Sequence, residues 1–264
     1  MLKQILDAHG GVLPDNVYVF FENTGREFWE TIQFVQECGS RWGVKITILE
    51  YAGKGQFKIV GHNSLSMNGE PFDILIAERG MVPNQNDKFC SDVLKYRVAK
   101  DYLHSLGIDK WYAYVGLRAD EKTRAENMLA RPRTKRCQEI VMLPLYHAGV
   151  SKHDVIAFWK QQPFDLNLKN IRGKTPLGNC DGCFLKSQKN RAHLARYYPE
   201  KAKWWDNKEK QCGIGRNGKP IVFNLDGSWN DLINFAERQS DWVYKLKENQ
   251  SVFCETTLGN CEGD

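Results

Sequence analysis

Long apolar runs are missing from this 264-residue chain: no stretch approaches the roughly 18 residues a bilayer-crossing helix needs, which argues against a helical transmembrane span. The opening Met1-Leu2-Lys3-Gln4-Ile5-Leu6-Asp7 offers one cation with an acid close behind it, unlike a secretory leader, so a soluble cytoplasmic protein is expected. Histidine is scarce, six in all with no HExxH-like pair, and none is assigned to catalysis. Internal repeats and low-complexity tracts are lacking as well, which excludes a solenoid or fibrous array. Excess charge of one sign is also in short supply. Lys and Arg number 37 against 32 Asp and Glu, a surplus that suits an anionic ligand such as a nucleotide but not a protein that coats nucleic acid.

Cysteine, by contrast, is plentiful. Eight cysteines could make four disulfides, but a chain of this length with 42% hydrophobic residues can build a core without staples, and a reducing cytosol keeps thiols free. Cys180 and Cys183 form a CxxC pair in Gly178-Asn179-Cys180-Asp181-Gly182-Cys183-Phe184-Leu185-Lys186. With the isolated Cys90 far upstream, they suggest a thiolate metal or iron–sulfur site assembled from distant pieces of one fold. Spacing alone leaves three readings open for the pair: iron–sulfur ligands, a structural zinc clip, or free thiols. Cys90 by itself reads as a small buried hydrophobe. Cys38 and Cys137 stand in no motif and read as structural.

Periodicity organises the chain into alternating strands and helices. Val17 to Phe21 is a short apolar, β-branched and aromatic run after the turn signal Pro14-Asp15-Asn16, and predicts a buried strand. From Glu27 to Trp42 the residues Phe28, Ile32, Val35 and Trp42 recur at helical spacing, and Val44 to Tyr51 predicts the next strand. Such a strand, helix, strand unit signals a parallel sheet. The Gly-, Asn- and Ser-rich stretch 52–86 predicts an irregular excursion with one short element at Phe72–Ile76. A helix over 92–106 closed by Gly107, a strand over 111–117, a strand over 139–145 and a helix over 155–161 with Ser151 as N-cap complete the first part. Beyond Pro163 comes a mostly helical lobe carrying the CxxC, a helix over 187–197, the pair Trp204-Trp205, read as lobe core, and a basic Gly-containing loop from Cys212 to Lys219. The expected division is 1–162 for the α/β domain and 163–264 for the lobe.

Four motifs in order then resemble one family. Phe21-Glu22-Asn23-Thr24-Gly25-Arg26-Glu27-Phe28-Trp29-Glu30-Thr31 is similar to the stretch after the second strand of phosphoadenosine phosphosulfate (PAPS) reductases. Gly116-Leu117-Arg118-Ala119-Asp120-Glu121 with Arg124 resembles that family's substrate loop. Phe89-Cys90 followed by Leu94-Lys95 resembles its cysteine-bearing helix start, and Cys180-Asp181-Gly182-Cys183 its downstream CxxC. The resemblance covers roughly residues 1–210 and is strongest to short bacterial and phage members. It implies a Rossmann-like parallel sheet of the adenine nucleotide alpha hydrolase type, an adenine nucleotide or sulfonucleotide as substrate, and reduction or transfer of sulfur beside a 4Fe-4S cluster, with zinc as the alternative metal. Implied partners are a thioredoxin-like or ferredoxin-like electron donor and a nucleic-acid sulfur acceptor. The alternative function is a metal-stabilised nucleotide-binding or regulatory module without turnover.

The same resemblance assigns site residues. Cys90, Cys180 and Cys183 would be metal ligands, with Cys212 as fourth or the fourth iron left open. Family members without a cluster use a lone C-terminal cysteine as nucleophile, and Cys254 and Cys261 stand where one could be. Substrate contacts are expected from Asn23, Thr24, Gly25, Glu27, Lys95, Arg118, Asp120, Glu121 and Arg124. Arg118, Asp120, Glu121 and Arg124 could instead neutralise one another at a helix start. Following a strand, however, they stand at the carboxyl edge of a parallel sheet, where open α/β folds place ligands. There Arg118 would grip phosphate or sulfate oxygens bidentately and the acids would orient it. Asn23, Thr24 and Gly25 also suit a plain turn, and Lys95 a solvated helix position. One family feature is missing: no strand and Ser-Gly-Gly phosphate loop precedes Met1, so either such a segment lies upstream or this form is catalytically weak.

Overall fold

The structure, a computed structural model, describes residues 1–130, 139–170 and 175–239. It is a mixed α/β fold. After helix α1 (Leu2–Ala8), strand β1 (Val19–Glu22) runs parallel to β2 (Ile46–Gly53), with Val19 opposite Ile46 and Glu22 opposite Leu49. Helix α2 (Trp29–Trp42) makes the crossover, ending at Gly43, whose φ of 63° is the left-handed stop that glycine adopts at low cost.

The expected irregular excursion is largely regular. Strand β3 (Gln56–Val60) turns back antiparallel on β2, and helix α3 (Glu70–Arg79) follows, burying Phe72, Leu75 and Ile76 against the core. The short element expected at 72–76 is therefore part of a helix, with Phe72, Leu75 and Ile76 on its buried face. The helix expected over 92–106 starts earlier and has three parts: α4 (Phe89–Ser91), a π-helical stretch (Asp92–Arg97) and α5 (Val98–Ser105). Such π-helical insertions occur mostly as single turns and often at functional sites.

The single parallel sheet anticipated from the sequence is two sheets. β1, β2 and β3 form the first in that order, while β4 (Trp111–Tyr114) pairs parallel with β5 (Glu139–Met142) in a second. Parallel pairing is thus present in both sheets, without a ladder between them among the described residues. The strand expected over 139–145 stops at Met142, because Pro144 starts the short helix α7 (Pro144–His147). Between the strands of the second sheet lies α6 (Lys122–Leu129); α8 (Lys152–Lys160) follows, with Ser151 and Asp154 forming a reciprocal capping box.

The rest is helical: α9 (Gln188–Tyr197), α10 (Pro199–Cys212) and α11 (Trp229–Arg238). One apolar core runs through both parts of the sequence, joining Phe28, Leu49, Phe72 and Leu94 to Leu177, Trp205, Phe223 and Trp229. Residue 162 is therefore no boundary of that core. A smaller cluster of Leu117, Ala125 and Leu143 lies under the second sheet. Among the described residues no helix is long and apolar enough to cross a membrane.

Candidate functional site

At the carboxyl end of β1 the chain turns through Asn23-Thr24-Gly25-Arg26-Glu27 into α2. The turn is buried and its polar atoms are spoken for. Asn23 Nδ2 donates to Glu50 Oε1 (2.6 Å) and to the Ser66 carbonyl (2.8 Å), and Asn23 Oδ1 accepts from the Gly25 amide at 3.1 Å. Glu27 accepts from the Thr24 amide (3.1 Å), the Arg26 amide (3.2 Å) and the Thr24 hydroxyl (2.8 Å). Gly25 has φ 75°, and a Cβ there would stand 3.0 Å from the backbone of Gly69, so only glycine lets these two loops meet.

Arg26 carries the link to the CxxC turn. Its guanidinium, 4% exposed, donates from Nη2 to Asp181 Oδ2 at 2.7 Å and lies 4.4 Å from the centroid of the Trp204 ring. Asp181 is wholly buried and also accepts from Trp205 Nε1 at 2.7 Å, while Lys201 Nζ stands 3.3 Å from its Oδ2. Backbone bonds reinforce the junction, the Asp181 amide donating to the Arg26 carbonyl at 2.8 Å. Gly182 lies flat on Trp205: an added Cβ would fall 2.2 Å from the indole nitrogen. A desolvated, fully hydrogen-bonded ion pair under an aromatic lid thus fixes the pair of cysteines beneath the end of β1.

This junction brings distant sulfurs together. Cys180 Sγ lies 3.3 Å from Thr24 Oγ1 and 3.9 Å from Glu27 Oε1. Because Thr24 gives its own proton to Glu27, its oxygen is left to accept from the Cys180 thiol. Burial pushes the Cys90 thiol up to about 12, and the nearby charge of Cys183 adds to that rise, partly offset by Lys95. Burial and then Glu27 push Cys180 up too, with Lys95 acting against them. Lys95 is set at the centre: burial alone would lower its pKa, but the charges of Cys180, Glu27, Glu22 and Cys183 hold it above the ordinary lysine value. Glu22, at the end of β1, is raised by burial, with Lys95 offsetting part of the rise. Cys90, Cys180 and Cys183 are therefore near enough to Lys95, on the π-helical segment after α4, for their charges and its ammonium to act on one another.

Other predicted residues are placed elsewhere. Cys212 ends α10, where its charged neighbours are Lys208 and Glu209 rather than the other thiols. Cys38 is buried in α2, its thiol pushed up to about 12 chiefly by burial, as its structural reading requires. Cys137, Cys254 and Cys261 lie outside the described residues. Among the described residues no set of three or more His, Cys, Asp or Glu side chains is drawn around one point as metal ligands are.

Arg118, Asp120, Glu121 and Arg124 form a tight group over the smaller apolar cluster. Arg118 Nε and Nη2 hold the Asp120 carboxylate at 3.0 and 3.1 Å, its amide donates to Glu121 Oε2 at 3.1 Å, and Arg124 Nη1 lies 2.5 Å from Glu121 Oε1. Asp120 also accepts from the Lys152 amide at 3.0 Å, which ties the group to the start of α8. Slight burial would raise the Asp120 carboxyl, but the Arg118 hydrogen bond and charge outweigh it and hold it below its ordinary range. The acids thus fix the arginine in a forked grip at the end of the β4 segment.

Sequence reasoning passed over Arg26 and treated Asp181 as the spacer of a CxxC. The available signal was an acid followed by glycine between the two cysteines, but its partner lies 155 positions away.

The phosphoadenosine phosphosulfate reductase domain matches residues 11–167, a span that includes β1 to α8. The chain is 28% identical over 182 residues to the uncharacterized nin region protein ORF290 of Escherichia phage lambda, covering 65% of this chain and 57% of that protein. It is 23% identical over 196 residues to an uncharacterized protein of Methanocaldococcus jannaschii, covering 74% of this chain and 36% of the other. It is 26% identical over 162 residues to the probable staphylococcal-like nuclease CAN1 of Oryza sativa subsp. japonica, covering 53% and 45%. The chain thus spans between about a third and three fifths of the length of these relatives. No solved structure matches it. With its domain matched over most of the α/β part, and with the motif order read from the sequence, the chain belongs to the phosphoadenosine phosphosulfate reductase domain family.

Proposed function

We propose that this protein carries out adenine-nucleotide-dependent sulfur chemistry, reducing a sulfonucleotide or transferring sulfur, at a centre formed by Cys90, Cys180 and Cys183. The observation that carries this reading is the gathering of three thiols from two remote segments around Lys95, beside the Thr24 turn. The donor chemistry suits an iron–sulfur cluster, or zinc as the alternative: sulfur ligands in desolvated surroundings next to a cation that offsets their negative charge. In that reading the fourth position is left without a protein thiol, because Cys212 belongs to another neighbourhood. When bound, a cluster would supply a soft site that holds or polarises sulfide.

The chain's own residues have separate tasks. Thr24 and Glu27 orient Cys180, and Lys95 balances the charge of the thiolates. Arg118, braced by Asp120 and Glu121, would contact a phosphate or sulfate group, with Arg124 held beside it. Electrons for a reductive reaction would come from a thioredoxin-like or ferredoxin-like donor; in the transfer reaction a nucleic-acid base would accept the sulfur.

Protein purified without oxygen, given adenylylated or phosphoadenylylated sulfate labelled in sulfur together with reduced thioredoxin, is expected to release labelled sulfite. With ATP, labelled sulfide and nucleic acid, the transfer branch is expected to move label into the polymer. Arg118→Ala should lower the rate at least tenfold while leaving the absorbance spectrum intact. Nucleotide binding with no movement of label in either assay would overturn this reading in favour of a binding or regulatory module.

A further inference from the structure

The whole-chain surplus of five positive charges conceals a concentration of them. Residues 186–219 hold ten Lys and Arg against three acids, Glu200, Asp206 and Glu209, a net of +7. Two of those acids are turned inward. Asp206 and Glu209 are both 6% exposed, and Glu209 spends its oxygens on the backbone amides of Phe223 (2.9 Å) and Trp229 (2.7 Å). What this segment shows to solvent is six exposed cations and one exposed acid, Glu200.

Four of the exposed cations, Lys203, Lys210, Arg216 and Lys219, succeed one another along α10 and the loop after it. Lys203 and Lys210 stand seven residues apart on α10, hence on one face, with side chains 55% and 61% exposed; Lys203 pairs with Glu200 and Lys210 with Asp206. Past the end of α10 the chain doubles back as a small hairpin, closed by Gly215 N–H to Lys219 carbonyl (2.8 Å) and Ile221 N–H to Gly213 carbonyl (2.9 Å). Its exposed tip presents Arg216 and Lys219, neither of which has a carboxylate within ion-pair distance among the described residues. Lys201, two residues before Lys203, faces the other side of α10, where it reaches Asp181, the residue between the two cysteines. At 1.5 Å per residue Lys203 and Lys210 stand about 10 Å apart along the helix, so a basic strip leads from Lys203 to the hairpin.

We propose that this track binds the phosphate backbone of a nucleic acid. A mononucleotide would engage one or two of these cations; a row of four, two of them about 10 Å apart along α10, matches a polymer whose charges repeat at a few ångströms. The flexible, exposed lysines and the glycine-containing hairpin suit contacts to a backbone, which position a strand without reading its sequence. The interface stands on its own charge and geometry. Its further role, delivering a base as sulfur acceptor, rests on the function proposed above.

The test uses the full chain, a fluorescent 30-nucleotide single strand of mixed sequence, and the double variant Arg216→Ala, Lys219→Ala. Wild type is expected to bind with an affinity that falls steeply with salt. The variant should bind at least tenfold more weakly at 100 mM salt, with a salt slope shallower by about 1 to 2, and with unchanged thermal denaturation and unchanged turnover of the sulfonucleotide. Equal binding by variant and wild type, no binding by either, or equally tight binding of polyglutamate would overturn the interface. Binding that needs the hairpin but brings no label into the strand would leave the interface standing and count against the sulfur-transfer branch alone.

Discussion

Replacing Asp181 by alanine should cost about 3–5 kcal/mol of folding stability, the range for breaking a buried ion pair from one side. Asp181 is wholly buried and serves Arg26, Trp205 and Lys201 at once. Its removal strands a guanidinium that is 4% exposed, sandwiched against Trp204, with no other carboxylate among the described residues hydrogen-bonded to it. Asp181→Asn keeps the shape and the indole bond but gives up the charge, and is expected to lose less. Chemical denaturation measures both, and a double-mutant cycle with Arg26→Met isolates the pair, since neighbouring residues in one network are not additive. A loss below about 1 kcal/mol for Asp181→Ala would mean that the CxxC turn is held by its backbone and by Trp205 alone.

The second large effect concerns Lys95. Its ammonium opposes the rise of both the Cys180 and the Cys90 thiols. Lys95→Met removes it while keeping the bulk and the apolar stem. Both thiols then rise further, because burial and the neighbouring negative groups act on them unopposed. In the reduced, metal-free protein, alkylation at Cys180 should slow by roughly an order of magnitude at fixed pH, since the thiolate is the reacting species. Lys95→Arg should restore much of the rate. An unchanged rate in Lys95→Met would place the ammonium too far from the sulfurs to matter, and would return Lys95 to the role of substrate contact that sequence alone suggests.

Local features of the fold were legible where they are local in cause. The β1, α2, β2 unit followed from apolar spacing, and α8 from the Ser151 cap with an acid three residues on. The region 52–86 was harder because its glycines and asparagines signal turns, whereas Gly69 and Gly80 are in fact the left-handed caps at either end of α3. The break of the sheet into two depends on strand order, on which residue patterns are silent.

At the candidate site, Cys90, Cys180 and Cys183 stand out by type and motif; the structure sets Lys95 near them without drawing the three sulfurs around one point. Arg26 and Asp181 did not stand out, because a charged residue reads as solvated until its distant partner is known. Cys212 was selected for its chemistry and its Gly-rich surroundings, yet α10 places it beside Lys208 and Glu209.

The central claim is that three sulfurs form one inorganic centre. It is tested most directly by iron and acid-labile sulfide analysis, with visible absorbance, of protein purified without oxygen as wild type and as the single variants Cys90→Ser, Cys180→Ser, Cys183→Ser and Cys212→Ser. The account predicts a brown wild type containing iron and sulfide, loss of colour and of most iron in each of the first three variants, and an unchanged spectrum in Cys212→Ser. Colourless wild type holding stoichiometric zinc, or full iron retained in Cys90→Ser, would contradict it.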